Sequence, residues 1–187
     1  VLNIPLWLLG VDDLALLLDV TTPNQIPIIE KALSLVNILT GDDPDVIKYK
    51  NDIIARAVLD ILLSGHQSTK RRDQVIAVLT KFNTKDLNLE SKIVQPGYVR
   101  TFKQCLYIDK TGKLMEMELV VNFVKTFIME DFNLADRPEK FIAYTLKDLE
   151  TAMDFALISE GILKSDKVYD YANVLSVRLH SLASSPN

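Results

Sequence analysis

The chain has 187 residues, of which 48% are hydrophobic and 25% charged, with only six glycines and seven prolines. This composition excludes a disordered, collagen-like or low-complexity protein, and the length suits a single domain over residues 1–187 with its own core. The formal net charge of −4 excludes the uniformly basic surface of a free-standing duplex binder but allows a local basic patch. Because Cys105 is the only cysteine and there are two histidines, a disulfide scaffold and a zinc finger are also excluded.

The amino-terminal segment has no membrane or signal-peptide character. Apolar runs such as 4–9 are far shorter than the roughly 18 residues that a membrane span requires, and no basic region precedes an apolar core. We therefore expect a cytoplasmic protein without a membrane span. The first residue is Val1, and apolar residues alternate after it, so we expect residues 1–10 to be a strand-like lead-in and the chain to be excised from a larger protein.

Helix signals then follow in chain order. Asp12 and Asp13 precede a short apolar helix, and later helices begin at capping residues that are followed by apolar positions at spacings of three and four. These capping residues are Thr22, Asp43, Ser68, Thr84, Thr145 and Ser165. Pro23 and Pro44 occupy first helical positions, Thr145 and Asp148 resemble a capping box, and Gly161 should end that helix.

Between Tyr98 and Met117 the apolar period changes from helical to two, around the turn sequence Asp109-Lys110-Thr111-Gly112. This predicts a β-hairpin over 97–118, with Cys105 buried in its first strand and Gly112 supplying the positive φ of the turn. The next segment, Leu119–Phe132, is apolar on most sides, which predicts a central buried helix. Met115 and Met117 should face that helix. The predicted fold is mainly α, a compact bundle of six or seven helices with one small β-hairpin.

No motif in the sequence indicates catalysis. Lys110-Thr111-Gly112-Lys113 lacks the preceding glycine and the helix start of a phosphate-binding loop. Cys105 has no histidine near it in sequence, and the carboxylates at Asp42, Asp43 and Asp45 are explained by a helix N-terminus. We therefore expect no catalytic, cofactor-binding or metal-binding residue, no small-molecule substrate, and no enzymatic activity of this chain by itself.

One surface feature is a candidate contact site. Lys70, Arg71 and Arg72 form a basic run in the first turns of the third predicted helix, where the helix dipole disfavours cations. A phosphate backbone or an acidic neighbouring subunit would stabilise them there. The alternative is a solvated helix face, which is the commoner role of three basic residues without interleaved aromatic residues.

Two stretches, in this order, resemble one known family. The opening Ile4-Pro5-Leu6-Trp7-Leu8-Leu9, followed by Asp12-Asp13-Leu14, is similar to the segment after the nucleotide-binding strand and helix of HerA-type ATPases. The closing Ala172-Asn173-Val174-Leu175-Ser176-Val177-Arg178-Leu179-His180-Ser181-Leu182 is similar to the helix that returns the chain to the motor core. HerA-type ATPases are relatives of FtsK and of the conjugation ATPases, which are hexameric motors that pump DNA.

The resemblance implies that this chain is a helical insertion between the phosphate loop and the acidic strand of such an ATPase. Those two motifs are absent from the chain, so no catalytic residue is transferred to it. ATP and magnesium are expected in the parent protein, and the expected partners are its own ATPase core, neighbouring subunits and DNA. The implied function is subunit contact, partner docking or DNA guidance. The alternative is a free-standing helical regulatory or nucleic-acid-binding module.

Overall fold

The computed structural model of the chain describes residues 5–20, 23–40, 43–130 and 143–164, together with 177, 178, 180 and 181. This part of the chain contains seven α-helices and one two-stranded antiparallel sheet, which confirms the mainly α fold with one small hairpin. The helices are α1 (Val11–Leu17), α2 (Ile26–Leu39), α3 (Pro44–Leu62), α4 (Ser68–Lys81), α5 (Phe102–Cys105), α6 (Met117–Lys125) and α7 (Leu146–Lys164), and the strands are β1 (Lys92–Gln95) and β2 (Tyr98–Thr101). None of the described helices is long and apolar enough to cross a membrane.

The chain divides into two compact units. One comprises Val1–Asp42 and Asn133–Asn187, and the other is the continuous segment Asp43–Phe132. Two compact units can belong to one domain, so the single domain over 1–187 stays a prediction.

The first unit is built on the packing of α2 against α7, with α1 packed on α2. α7 begins with the predicted capping box, in which the Thr145 amide donates to Asp148 Oδ2 at 2.9 Å and the Asp148 amide donates to Thr145 Oγ1 at 3.2 Å. The helix continues past Gly161 to Lys164, because a glycine inside a helix costs only about 1 kcal/mol. The core of the first unit consists of buried apolar residues, including Leu14, Ile29, Ala32, Val36, Leu149, Met153 and Phe155.

The predicted strand-like lead-in is wrong where it is described. Leu6–Leu8 form a single 3₁₀ turn, closed by hydrogen bonds from the Leu8 amide to the Pro5 carbonyl and from the Leu9 amide to the Leu6 carbonyl, both 3.0 Å. Pro5 has a φ of −58°, which suits the start of a helical turn. Residues 1–4 lie outside the described part of the chain, as do Thr22 and most of the helix predicted from Ser165.

The second unit is organised around α3, against which α4 and α6 pack. α3 begins as predicted, with Pro44 at its first position and the Asp43 carboxylate accepting from the Asp45 amide at 3.2 Å. Apolar side chains of all four helices of this unit form its core, including Ile54, Val58, Ile61, Val75, Leu79, Phe102, Val120 and Val124.

The hairpin of this unit lies earlier than the predicted 97–118. β1 and β2 pair with Val94 opposite Val99, around a Pro96-Gly97 turn in which Gly97 has a φ of +90°. The predicted first strand is interrupted by α5, because Thr101 and Gln104 form a capping box that starts a helix. The predicted turn at Asp109–Gly112 does form, with Gly112 at a φ of +79°, but only the Ile108–Leu114 bridge flanks it.

Three further predictions about this unit are wrong in detail. Residues 84–89 form turns and bends in place of a helix. The Asn88 side-chain amide donates to the Thr84 carbonyl at 2.9 Å, and the Asn88 backbone amide, which would donate to that carbonyl in a helix, donates to Ser91 Oγ at 2.9 Å instead. The central helix α6 covers Met117–Lys125, short of the predicted end at Phe132. Met115 is 63% exposed and Met117 is half-buried, so Met115 does not belong to the core.

Candidate functional site

The basic run Lys70-Arg71-Arg72 lies in the first turns of α4. α4 begins after Gln67, whose side chain makes no capping hydrogen bond, and the first turn contains no acidic residue. Ser68, the predicted cap, is instead the first helical residue. The amides at the start of α4 therefore lack a side-chain acceptor from the capping position, and their partial positive charge adds to that of the basic side chains.

Arg71 joins the end of α3 to the start of α4. Its Nη1 donates to the Leu62 carbonyl at 2.6 Å, and its Nη2 donates to Ser68 Oγ at 3.1 Å. Leu62 is the last residue of α3, so its carbonyl has no partner within that helix. Arg71 therefore has a structural role at the connection between the two helices.

The other two basic residues of the run have different surroundings. Arg72 donates from Nε and Nη2 to Asp73 Oδ1 at 3.1 and 3.0 Å, so much of its charge is neutralised locally. Lys70 is exposed and forms no hydrogen bond or ion pair within the described part of the chain. The three residues predicted as one patch are therefore divided between a helix connection, a local ion pair and an exposed cation.

A cleft of about 640 Å³ opens at the start of α4, and we call it the α4 cleft. One wall is formed by the segment that leads into the helix and its first turn, with His66, Thr69 and Arg71. The opposite wall is the turn at 109–113, which contributes Thr111 and Lys113. The sequence does not indicate Lys113 as a site residue, because nothing local in it shows that this turn lies against α4.

The turn at 109–113 is fixed by its own carboxylate. Asp109 Oδ1 accepts from the Thr111 amide at 2.8 Å, the Thr111 hydroxyl at 2.6 Å and the Lys113 amide at 3.0 Å. These hydrogen bonds, led by that of the Thr111 hydroxyl, hold the pKa of Asp109 below its ordinary value of 3.8. Asp109, the one acidic residue of this turn, therefore stabilises the backbone conformation of the turn.

The positive charge extends beyond the α4 cleft. Residues 92–113 contain five basic side chains and one acidic one, although the whole chain has a net charge of −4. Four of the five are exposed lysines, namely Lys92, Lys103, Lys110 and Lys113. The fifth, Arg100, contacts the Glu116 carboxylate. The excess of basic over acidic residues in this stretch therefore extends from β1 to the turn at 109–113, of which Lys113 lines the cleft.

Cys105 is fully buried in α5. Burial raises the pKa of its thiol, and the nearby Arg100 opposes that effect only in part. A protonated and inaccessible thiol is a poor nucleophile. Within the described residues, no group of three or more His, Cys, Asp or Glu side chains is placed to hold a metal ion.

Comparisons of this chain with protein-family models, curated proteins and solved structures gave no match.

Proposed function

We propose that the chain is a non-catalytic domain that contacts the phosphate backbone of nucleic acid through the α4 cleft. The observation that carries this proposal is the convergence of Arg71 and Lys113, which come from two distant segments, on a cleft at the uncapped start of a helix. Lysine, arginine, hydroxyl groups and helix amides are the groups that bind phosphate in proteins.

The chemistry of the α4 cleft suits a backbone contact that does not depend on base sequence. Lys113 supplies an exposed ammonium group, and Thr69 supplies an exposed hydroxyl donor. Lys70 adds a further exposed cation on the first turn of α4. Such groups neutralise phosphates and release counterions, so affinity should fall steeply as salt is raised.

We further propose that this domain belongs to a HerA-type ATPase, as the sequence resemblance implies. In the first unit Arg178, which belongs to the second of the two stretches that carry the resemblance, donates through Nη1 to the Leu18 carbonyl at 2.8 Å and also contacts the Asp19 carbonyl, a few residues after Asp12-Asp13-Leu14. This contact supports the proposal that the segment leaves and rejoins a larger protein at neighbouring points. ATP and magnesium would be bound by that parent, and the complete reading frame tests the proposal. The proposal requires that the reading frame encodes a phosphate loop upstream of Val1.

Binding of a fluorescein-labelled oligonucleotide of mixed sequence, measured by anisotropy on the full chain, tests the phosphate contact. We expect the dissociation constant to rise steeply between about 50 and 200 mM salt. The double variant Lys70→Glu/Lys113→Glu should bind at least about tenfold more weakly. The matched control is Lys125→Glu/Lys147→Glu, which makes the same charge change at two exposed lysines of α6 and α7. Absence of binding, or equal losses in both double variants, would contradict the proposal.

Subunit contact is the second candidate for the same surface, because Lys70 is exposed and could face an acidic neighbour. In the assembled parent, Lys70→Glu/Lys113→Glu should reduce DNA-stimulated ATP hydrolysis while basal hydrolysis and hexamer assembly are retained. Loss of assembly with unchanged DNA binding would favour the subunit contact instead.

A further inference from the structure

Two tyrosine side chains of the second unit are exposed, and both lie among its lysines in the sequence. Tyr98 is 51% exposed and Tyr107 is 56% exposed. Tyrosine rings carry a large apolar surface that proteins usually cover at least in part, and exposed rings beside cations are common in surfaces that bind nucleic acid. Tyr98 and Tyr107 lie within the basic segment 92–113.

The ring of Tyr98 is held by Arg100. The Arg100 guanidinium lies 4.8 Å from the Tyr98 ring centroid, and its Nη2 donates to Gln95 Oε1 at 2.5 Å and to the Glu116 carboxylate. The guanidinium is positioned by two acceptors and attracts the face of the Tyr98 ring. Half of the Tyr98 side chain remains exposed to a further stacking partner.

Tyr107 is connected to the same part of the unit. The Met115 amide donates to the Tyr107 carbonyl at 3.1 Å, next to the Ile108–Leu114 bridge. Met115 precedes Glu116, the residue that contacts Arg100. The Tyr107 backbone is therefore connected to the Tyr98 ring through Met115, Glu116 and Arg100. The exposed lysines Lys103 and Lys110 lie in the same stretch of sequence.

We infer that the nucleic acid bound by this domain is single-stranded, with bases stacking on Tyr98 and Tyr107 while the neighbouring lysines contact phosphates. The inference rests on the proposed function and adds the form of the ligand. In a duplex the base faces are already stacked on one another, so an exposed tyrosine ring gains little by contacting a duplex. In a single strand every base offers a free face, and stacking tolerates any sequence. Lysine charge alone would favour the duplex, because its charge density is higher than that of a single strand.

The test compares two ligands on the full chain, an oligothymidylate of about 20 nucleotides and a hairpin duplex with the same number of phosphates. We expect the single strand to bind about tenfold more tightly. Tyr98→Ala and Tyr107→Ala should each weaken single-strand binding about tenfold and duplex binding by less than about twofold. Tyr98→Phe and Tyr107→Phe should retain the wild-type affinity, because phenylalanine keeps the ring. Trp7→Ala, at a 43% exposed aromatic residue of the first unit, is the matched control and should have no effect.

The outcomes separate the inference from the proposed function. Equal affinity for both ligands, with no effect of the alanine variants, would overturn the single-strand inference and leave the phosphate contact standing. No binding of either ligand would overturn both. Loss of single-strand binding in the phenylalanine variants would show that the hydroxyl groups act in place of the rings, which also overturns the stacking inference.

Discussion

Arg71 and Arg72 are neighbours in sequence with the same side chain and charge, yet their surroundings give them different energetic roles. Arg71 is half-buried and bonded to the end of α3, whereas Arg72 bonds to the exposed carboxylate of the adjacent Asp73. A charged donor to an otherwise unpaired carbonyl contributes more to stability than an ion pair in solvent.

Arg71→Ala should lower the free energy of unfolding by about 1–3 kcal/mol, because the Leu62 carbonyl would lose its hydrogen-bond partner. Arg72→Ala, the matched control, should lower it by less than about 1 kcal/mol. Urea unfolding followed by circular dichroism measures both values. Equal effects of the two substitutions would show that the connection between α3 and α4 does not depend on Arg71.

At the scale of elements, the short helix α5 contributes more than its length suggests. Phe102 is fully buried, and its ring centroid lies 5.5 Å from that of Phe123 on α6. Phe123 in turn meets the half-buried Phe127 edge-on at 5.4 Å. The innermost ring of this aromatic row is the one supplied by α5.

Phe102→Ala should therefore reduce the free energy of unfolding by about 3–5 kcal/mol through the cavity it leaves. Phe127→Ala should cost about 1–2 kcal/mol, because Phe127 is partly exposed and less of its apolar area is buried than that of Phe102. Thermal and urea denaturation of the two variants give the comparison. A smaller loss at Phe102 than at Phe127 would mean that α5 is not packed as described.

The turn at 109–113 should respond to pH through Asp109. Because the folded pKa lies below the ordinary value of 3.8, the ionised carboxylate stabilises the turn above that value, and this stabilisation is lost as pH falls through the folded pKa. The protection factors of the Thr111 and Lys113 amides against hydrogen exchange, measured by NMR, should decrease below about pH 4. Asp109→Asn should remove the pH response, and an unchanged response in that variant would assign it to another group.

Local signals predicted some elements and misplaced others. The Asp43-Pro44 start and the Thr145–Asp148 capping box are complete within four residues, and α3 and α7 begin there. The sequence misplaces the hairpin, because the apolar alternation around Phe102 and Cys105 is typical of a strand. The turn that joins the two strands is Pro96-Gly97, between strand-forming residues. Arg71 and Lys113 are distant in sequence and both line the folded α4 cleft. The sequence shows that both residues are basic, but it does not show that they belong to one site.

At the scale of the whole molecule, the two units differ in how the chain builds them. Asp43–Phe132 is one continuous stretch, whereas the other unit is assembled from two stretches. The continuous unit includes α3, α4, α5, α6 and the sheet, with apolar side chains from each of these helices in its core. It also contains the complete α4 cleft and both exposed tyrosines. A continuous stretch of chain with its own hydrophobic core can fold as an independent unit.

We expect the polypeptide 43–132 to fold by itself, with a cooperative thermal transition and a dispersed amide spectrum in NMR. The polypeptide 68–132 is the control, because it lacks α3, against which α4 and α6 pack, and it should remain unfolded. Since the cleft and tyrosines are retained, 43–132 should bind oligothymidylate within about threefold of the full chain. A non-cooperative transition for 43–132, alongside a cooperative one for the full chain, would show that its core requires the other unit.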